Sequence, residues 1–340
     1  MKLFGVLPEE DFQALSNSTS ELIKEIGEIN FIIVGASGFL GRWISTYFTY
    51  MQKHKEFAGT LSLVLRDGTN ISELRNMTQS TLHRVIQIDA IRPESFSHFN
   101  LERVVIIFAA SSTSSTTLKG DETSSQATSL AEKIISLLPE RHITFIHLSS
   151  GGIYESGARQ LLGIPRNYEV QSRCKNSYLN EKIAIENWSR KQNESGRLIS
   201  RNPRLFSFYG PGLQLDRHFA IGEFINRARA GMPIQIRGNP KNMRSYLYPT
   251  DAIWQLLLQC QLKKPSYEQI GSAIPMTILE AGQAIAKNYN VSVEILGDHS
   301  LEIDNYVPLD VPREPEKSFD LGIKLWSRWL NNTSISHLFN

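Results

Sequence analysis

The chain has 340 residues, of which 41% are hydrophobic and 21% are charged. Its 36 Lys and Arg residues against 34 Asp and Glu residues leave a formal net charge of +2. This balance provides no general attraction to nucleic acid or to an anionic membrane. The length is sufficient for a large core and predicts two subdomains.

Membrane, secreted and metal-dependent classes are disfavoured by the sequence. No run of about 18 apolar residues is present, and the apolar stretch at the start is too short for a signal peptide. The two cysteines, Cys174 and Cys260, provide neither a disulfide framework nor a Cys-rich zinc site. The eight histidines show no H-E-x-x-H or comparable spacing, so no metal is expected. A cytoplasmic globular protein is predicted.

Apolar periodicity predicts the elements in chain order. Residues 8–28 have the spacing of an amphipathic helix, with an apolar side formed by Phe12, Leu15, Leu22, Ile23 and Ile26. Nearly continuous apolar runs, typical of strands buried on both faces of a parallel sheet, follow at 31–34, 61–65, 84–88, 103–110 and 143–150. A helical pattern over 124–138 separates the last two. Alternating strands and helices predict an α/β fold with a doubly wound parallel sheet of the Rossmann type.

A glycine-rich turn follows the first predicted strand and opens a helix. It reads Gly35-Ala-Ser-Gly38-Phe-Leu-Gly41. The first two glycines permit a tight turn and close approach to a pyrophosphate, and the third permits close packing of helix on strand. Because the strand-turn-helix context is the one that the motif requires, the segment predicts dinucleotide binding.

The end of the second predicted strand, "LVLRDG", bears on the choice of cofactor. Arg66 occupies the position where an arginine accommodates the 2′-phosphate of NADP, which favours NADP over NAD. Asp67 comes one residue later and would serve NAD if the register were shifted by one. A solvated pair of loop charges remains an alternative for both residues. Asp89, in "VIQIDA", is placed to hydrogen-bond the adenine amino group.

Tyr178 and Lys182, in "NSYLNEKIAI", lie four positions apart and would share one face of a helix. The pair alone does not distinguish a proton-transfer device from the polar edge of an amphipathic helix. Ile183, Ile185 and Trp188 would give the same helix an apolar side.

Five segments in a fixed order are more specific than any one motif. They are "GASGFLG", "IHLSSGGIYE", "YLNEK", "RLFSFYGPG" and "RSYLYPTDA". Together they resemble the extended short-chain dehydrogenase/reductases, the NAD(P)-dependent nucleotide-sugar epimerase/dehydratase family. The resemblance covers residues 30–320 and leaves the N-terminal helix outside. Residues 1–28 are therefore predicted to be an N-terminal helical extension. The resemblance implies a cofactor-binding domain (29–210, with later returns) and a smaller α/β domain (mainly 211–340) that binds the nucleotide sugar.

The resemblance implies a catalytic set of Ser150, Tyr178 and Lys182. Tyr178 exchanges a proton with the substrate, Lys182 lowers its pKa, and Ser150 polarises the same substrate oxygen. Ser149 is the neighbour or substitute of Ser150, and a strand-end turn cap is the structural alternative for both. The cofactor contacts implied are Gly35, Ser37, Gly38, Phe39, Leu40, Arg66, Asp89, Ala90, Phe108, Ala109, Ala110, Ser149, Tyr178, Lys182 and Phe206.

The reaction depends on the residues after Ser150. Family members that dehydrate or decarboxylate commonly carry an acid there, whereas this chain has Gly151 and Gly152. The resemblance therefore favours a nucleotide-sugar epimerase acting at C4, with an NADPH-dependent reductase as the alternative. A regulator that binds the cofactor without catalysis is a further alternative, and near-neutral charge disfavours a nucleic-acid-binding relative.

The resemblance also implies the substrate contacts and the assembly. Ser150, Ser207, Arg244 and Asp310 are expected to bind a nucleotide diphosphate sugar. No arginine precedes Pro308, where epimerases often have a second phosphate contact, and Arg217 or Arg313 is a candidate replacement. Gln126 stands where the family often has Asn. Relatives commonly dimerise through a four-helix bundle, which here would use the helix at 124–138 and the helix of Tyr178.

Overall fold

The structure, a computed structural model, describes the residue ranges 7–65, 83–99, 102–110, 120–138, 142–215, 219–261, 269–297 and 302–332. Arg66, Asp67 and Arg217 lie outside these ranges. Within them, no helix combines the length and the apolar character needed to cross a membrane.

Helices and short strands alternate along the described chain. The helices are α1 (Glu9–Ile26), α2 (Phe39–Lys53), α3 (Gly120–Ser136), α4 (Ser177–Glu194), α5 (Ala220–Arg229), α6 (Pro249–Leu258), α7 (Ile278–Tyr289) and α8 (Phe319–Asn331). The strands are β1 (Asn30–Val34), β2 (Leu61–Leu65), β3 (His83–Gln87), β4 (Arg103–Phe108), β5 (His142–His147), β6 (Ser149–Ser150), β7 (Ile199–Arg201), β8 (Arg204–Leu205), β9 (Ser207–Phe208), β10 (Ile234–Ile236), β11 (Met243–Arg244), β12 (Tyr246–Leu247), β13 (Gln269–Ile270), β14 (Met276–Thr277) and β15 (Val293–Ile295).

The chain forms two compact units, and it enters each more than once. The first unit contains Met1–Ile153, Gln171–Arg204 and Ile253–Glu268. The second unit contains Tyr154–Val170, Leu205–Ala252 and Gln269–Asn340.

The first unit is built on a parallel sheet with the strand order β3-β2-β1-β4-β5-β7. β1 pairs with β2 on one side and β4 on the other, and the register places Val34 opposite Phe108. The strand order therefore reverses at β1, and in such sheets ligands bind beyond the carboxyl ends of the strands at this point. Every residue of β1 and β2 is buried, because helices cover both faces. The predicted doubly wound parallel sheet is confirmed.

The N-terminal helix α1 packs against α2. All five residues predicted for its apolar side are buried, and the Phe12 ring centroid lies 5.3 Å from that of Trp43. Thr19 Oγ1 and the Tyr47 hydroxyl are 2.6 Å apart and hydrogen-bonded in the same contact. Gly27 ends the helix at a φ of 74°, a conformation that favours glycine.

The other helical layer of the sheet consists of α3 and α4. Phe145 of β5 stacks edge-on against Trp188 of α4 at 5.3 Å, and Ile134 of α3 and Ile185 of α4 are fully buried in the same core cluster. The apolar side predicted for the Tyr178 helix is thus used for packing inside the first unit. The Trp188 indole also donates to Glu132 of α3 at 3.2 Å.

The end of β5 differs from the predicted strand 143–150. The parallel ladder stops at His147, and Leu148 N still donates to Phe108 O at 3.0 Å. Ser149 N donates instead to Pro203 O at 2.9 Å. The chain changes its backbone partner at this point, and Ser149 and Ser150 form a separate short strand.

The second unit contains several small sheets of two strands each. β10 pairs with β15 and β12 with β9 in parallel, whereas β11 and β14 are antiparallel. Tyr154, Ala158, Ile164 and Phe206 form one core cluster, against which Tyr306 packs.

Candidate active site

The glycine turn leaves no space for side chains where it meets β4. Gly35 has a φ of 85°, and a Cβ atom there would lie 2.7 Å from Ala110 N. At Gly41, a Cβ atom would lie 2.2 Å from Gly35 O. The first and last glycines of the motif are therefore required for close approach of the protein's own backbone, which at Gly41 agrees with the close helix packing predicted for the third glycine.

The N-terminus of α2 opens directly from this turn. Gly38 is the N-cap, and no side chain caps the helix. The first turn of a helix presents backbone N–H groups without intrahelical acceptors, together with the positive end of the helix dipole. Ser37, Phe39 and Leu40 are partly exposed and Gly38 is exposed. The turn thus presents partly exposed backbone donors of the kind that bind phosphate groups.

Five other predicted cofactor contacts of the first unit follow or end its strands: Asp89, Ala90, Phe108, Ala109 and Ala110. Phe108 is buried at the end of β4, and Ala109 N donates to Val34 O at 2.9 Å. Asp89 and Ala90 are exposed in a one-turn 3-10 helix directly after β3. These positions fit a ligand that lies across the ends of β1, β3 and β4.

Tyr178 and Lys182 lie on the first turns of α4, as the spacing predicts. Asn176 caps the helix, because its Oδ1 accepts a hydrogen bond from Tyr178 N at 2.9 Å. Lys182 Nζ donates to Leu148 O at 2.8 Å and lies 5.5 Å from the centroid of the Tyr178 ring. Tyr178 is half-buried, whereas Lys182 is only 3% exposed.

Ser150 lies beside the beginning of this helix. Its Oγ accepts a hydrogen bond from Gly152 N at 3.1 Å, so the hydroxyl also caps the turn after β6. A Cβ atom at Gly152 would be 3.3 Å from Ser150 Oγ and 3.0 Å from a methyl carbon of Leu179. Ser150 Oγ and the side chain of Leu179, the residue that follows Tyr178, therefore both lie close to Gly152. Helix α4 also packs against β6.

Burial lowers the pKa values of two basic side chains of the site, Lys182 and His147. Desolvation lowers the pKa of Lys182 to about 8, while the charges of Glu181 and Glu186 act in the opposite direction. His147, fully buried on β5, has a pKa well below its ordinary value because of desolvation and the charge of Lys182. Its Nδ1 lies 3.3 Å from Asn202 Oδ1, which can only accept, so the neutral ring carries its proton on Nδ1.

Ser149 and Ser150 have different partners, although both are predicted site residues. The hydroxyl of Ser149, for which a cofactor contact is predicted, donates to Glu186 Oε1 at 2.6 Å. Glu186 also binds the guanidinium of Arg204, with Nη2 to Oε2 at 3.2 Å. Glu186 is not among the residues predicted from the sequence. Its position four residues after Lys182, on the same helical face, is the signal that was available.

The predicted substrate residues of the second unit are held by polar contacts. Arg244 Nη2 binds Asp304 Oδ2 at 2.7 Å, and Arg159 Nη1 lies 3.2 Å from Asp304 Oδ1. Asp310 Oδ2 accepts a hydrogen bond from Arg166 N at 2.8 Å.

Two further predicted site residues of the second unit, Ser207 and Phe206, are placed by strand pairing and ring packing. Ser207 is half-buried on β9, opposite Tyr246. Phe206 is buried, with its ring centroid 4.7 Å from that of Tyr306.

The candidate replacements for the missing phosphate contact differ in what the structure shows. Arg313 lies 3.6 Å from the buried carboxylate of Asp251 and 2.8 Å from Glu316. Arg217 lies outside the described residues. Gln126 is exposed on α3. Across the part of the chain that the structure describes, no group of three or more His, Cys, Asp or Glu side chains is arranged to hold a metal ion.

Comparisons with known proteins bear on the family and the fold of the chain. Residues 31–270 match the model of the NAD dependent epimerase/dehydratase family. Comparison with curated protein sequences gives no match.

The fold is similar to several solved structures of low sequence identity. The UDP-N-acetylglucosamine 4-epimerase of Methanobrevibacter ruminantium, in complex with UDP-N-acetylmuramic acid, has a TM-score of 0.73 at 15% identity, covering 89% of this chain and 98% of its own. The UDP-glucose 4-epimerase of Thermotoga maritima, with UDP-glucose, has a TM-score of 0.70 at 18% identity, covering 90% and 99%. The dTDP-glucose 4,6-dehydratase of Bacillus anthracis, with NAD, has a TM-score of 0.70 at 15% identity, covering 90% and 97%. At these identities the likeness establishes the fold alone.

Proposed function

The chain belongs to the NAD dependent epimerase/dehydratase family, and on this premise we propose that it is a nucleotide-sugar epimerase acting at C4 of the sugar through a 4-keto intermediate. The observation that carries the proposal is the position of Lys182. It is buried one helical turn from Tyr178 and bonded to Leu148 O, two residues before Ser150. This arrangement supports a joint role for Ser150, Tyr178 and Lys182 in the reaction.

The glycine turn supports dinucleotide binding, since Gly35 and Gly41 permit the close backbone packing of a strand-turn-helix segment and the start of α2 offers backbone donors. A bound nicotinamide dinucleotide supplies the hydride-transfer chemistry. Residues of the turn would hold its phosphates, and Asp89 its adenine. We propose NADP in preference to NAD because Arg66 follows β2 directly in the sequence.

Tyr178 is the proposed acid and base for the sugar hydroxyl. An ordinary tyrosine, with a pKa near 10, is a poor base at neutral pH. The ammonium of Lys182, 5.5 Å from the ring centroid, is proposed to stabilise the tyrosinate by its positive charge. The half-buried position of Tyr178 leaves part of its side chain accessible to a substrate.

Ser150 is the proposed hydrogen-bond donor to the reacting oxygen. Because its Oγ accepts from Gly152 N, the hydroxyl hydrogen is directed away from Gly152 and can polarise a substrate oxygen. Ser149 faces Glu186, which supports Ser150 rather than Ser149 in this role.

The residues after Ser150 support epimerisation over dehydration. Gly151 and Gly152 carry no group that could move the proton required for elimination of water. A reductase that uses NADPH is the second candidate, and Arg66 is the observation that favours it. An epimerase leaves the cofactor unchanged after each turnover, whereas a reductase consumes it, so the two are separable by experiment.

The proposed substrate is a nucleotide diphosphate sugar. Arg244 has the planar fork that binds phosphate oxygens in pairs. Its present partner, Asp304, is about half exposed, so a diphosphate can compete with that carboxylate for the guanidinium. Asp310 and Ser207 are proposed to contact the nucleotide, and a homodimer through α3 and α4 is the proposed assembly. A cytoplasmic enzyme of surface-polysaccharide precursor synthesis is the proposed setting.

Mass spectrometry of the nucleotides that copurify with the protein tests this proposal. We expect a nicotinamide dinucleotide and a nucleoside diphosphate or nucleotide sugar, followed by C4 epimerisation when that sugar is supplied. Binding of NADP(H) without turnover of any nucleotide sugar would contradict the proposal and support a non-catalytic regulator.

A further inference from the structure

The carboxylate of Glu186 is among the most buried charges of the first unit. The residue is 1% exposed and has donors on two sides. Arg204 contributes Nε at 3.3 Å and Nη2 at 3.2 Å, and Arg190 contributes Nη2 at 2.6 Å from the outer side of α4. The hydroxyl of Ser149 donates at 2.6 Å. An isolated buried carboxylate would be costly, and these partners offset that cost.

Two of the polar contacts around Glu186 and Lys182 connect the same pair of elements. Lys182 Nζ reaches Leu148 O, and Glu186 reaches the hydroxyl of Ser149, from successive turns of α4. Leu148, Ser149 and Ser150 are consecutive residues. The helix that carries Tyr178 is thereby bonded at two adjacent points to the strand end that carries Ser150.

We propose that Glu186 is a positioning residue, which acts through Ser149 and Lys182 to hold α4 in register with the strand end that carries Ser150. This inference rests on the proposed catalytic roles of Ser150, Tyr178 and Lys182. It assigns to Ser149 a structural function on the side of the strand away from Ser150, since successive strand residues point to opposite faces.

The charge of Glu186 has a second consequence at Lys182. The titratable groups around Lys182 include Tyr178, Glu181 and Glu186 on α4 and His147 on β5. Desolvation favours the neutral amine, whereas the carboxylates of Glu181 and Glu186 favour the ammonium. Removal of the negative charge at position 186 should therefore cause Lys182 to lose its proton at a lower pH.

The first test changes the contact without changing a charge. Ser149→Ala removes the donor to Glu186 and leaves the Arg204 pair intact. We expect kcat to fall roughly tenfold, with cofactor affinity within about twofold of the wild type. Ser149→Thr retains the hydroxyl and should restore most of kcat. An unchanged kcat in Ser149→Ala, or a loss that Ser149→Thr does not restore, would overturn the proposal.

The second test needs no substrate and so separates this inference from the proposed function. The wild-type protein and Glu186→Gln are labelled with 13C-lysine, and the Lys182 Cε signal, assigned with Lys182→Met, is titrated by NMR. We expect Lys182 to titrate at a lower pH in Glu186→Gln. Arg190→Gln is the control, because Arg190 binds the same carboxylate but is 51% exposed, and it should not lower that pH. An unchanged titration in Glu186→Gln overturns the proposal even if the wild type is active.

If the wild-type protein shows no turnover, the proposed function fails. The titration still shows whether the charge of Glu186 acts on Lys182. If the wild type is active and the Ser149 variants behave as wild type, the proposed function stands and the positioning role does not.

Discussion

Lys182 Nζ donates a 2.8 Å hydrogen bond to the carbonyl oxygen of Leu148, which connects α4 to the point where the chain leaves β5. The bond occupies one of the three donors of the ammonium, and the group is buried. The hydrogen bond holds the amino group of Lys182 5.5 Å from the centroid of the Tyr178 ring. The arrangement supports the proposal that Tyr178 on the helix and Ser150 on the strand act on one substrate atom.

Tyr178→Phe removes the proposed acid and base and leaves the ring in place. We expect kcat to fall by about 10²- to 10⁴-fold, the usual contribution of a positioned proton-transfer group. Fluorescence titration should show nearly unchanged cofactor affinity, because the glycine turn is untouched. If Tyr178→Phe retained the wild-type kcat, Tyr178 would not be the acid and base of the reaction.

Turnover should decrease as the pH rises through about 8. The pKa of Lys182 is lowered by burial to about 8, and only its protonated form stabilises the tyrosinate of Tyr178. A pH profile of kcat measures this directly, and a flat profile across about pH 7 to 9 would contradict it.

The same pKa shift has a consequence for stability with a definite sign. Between about 8 and the ordinary value of 10.5, the unfolded chain retains the Lys182 proton that the folded chain has released. The contribution of Lys182 to the free energy of unfolding therefore increases with pH in this window. Denaturant unfolding of Lys182→Met, compared with the wild type across the window, tests this, since the variant should lack that increase.

Gly152→Ala should disturb the contact between the Ser150 turn and α4. The added methyl group would lie 3.0 Å from a methyl carbon of Leu179 and 3.3 Å from Ser150 Oγ, so one of them must move. We expect a loss of kcat on the order of tenfold. Gly238→Ala is a matched control, since no atom lies within 4 Å of its added Cβ. If the two variants had the same kcat, the close contact between the Ser150 turn and Leu179 would not be required for turnover.

Arg66→Ala tests the cofactor preference that only the sequence supports. Loss of a charge-assisted contact to the 2′-phosphate should weaken NADP binding roughly tenfold and leave NAD binding unchanged. Isothermal titration with both cofactors measures the difference. If Asp67→Ala instead weakens NAD binding and Arg66→Ala changes nothing, the register is shifted by one and the preference is for NAD.

Arg313→Gln separates a structural arginine from a substrate contact. Its guanidinium faces the buried Asp251, whose pKa is raised by burial, so removal of the positive charge should destabilise the fold by about 1–2 kcal/mol. The Km for the nucleotide sugar should remain within a small factor of the wild type. A large rise in Km without loss of stability would identify Arg313 as the missing phosphate contact.

Local signals were sufficient to predict the framework of the first unit. Strand, glycine turn and helix follow one another in the sequence, and buried parallel strands are apolar on both faces, so β1, α2 and the sheet could be predicted without long-range information. The spacing of Tyr178 and Lys182 depends only on one helical turn. The same holds for α1, whose apolar stripe is the surface that meets α2.

Features that depend on long-range contacts were not accessible in this way. The bond between Ser149 and Glu186 joins residues 37 positions apart, and Arg244 meets Asp304 across 60 positions. No local pattern specifies which distant carboxylate a buried hydroxyl or guanidinium meets. The end of β5 was predicted three residues late because apolar character continues through Leu148 while the backbone partner changes at Ser149.

The central claim is that Tyr178 and its neighbours catalyse epimerisation at C4 without net consumption of the cofactor. The most direct test uses the nucleotide sugar that copurifies, prepared with deuterium at C4, and follows the products by NMR and mass spectrometry. We predict the C4 epimer with deuterium retained and the NADPH concentration unchanged. Stoichiometric reduction of NADP with formation of a 4-keto sugar, or release of water from the sugar, would contradict the account and identify a reductase acting in reverse or a dehydratase.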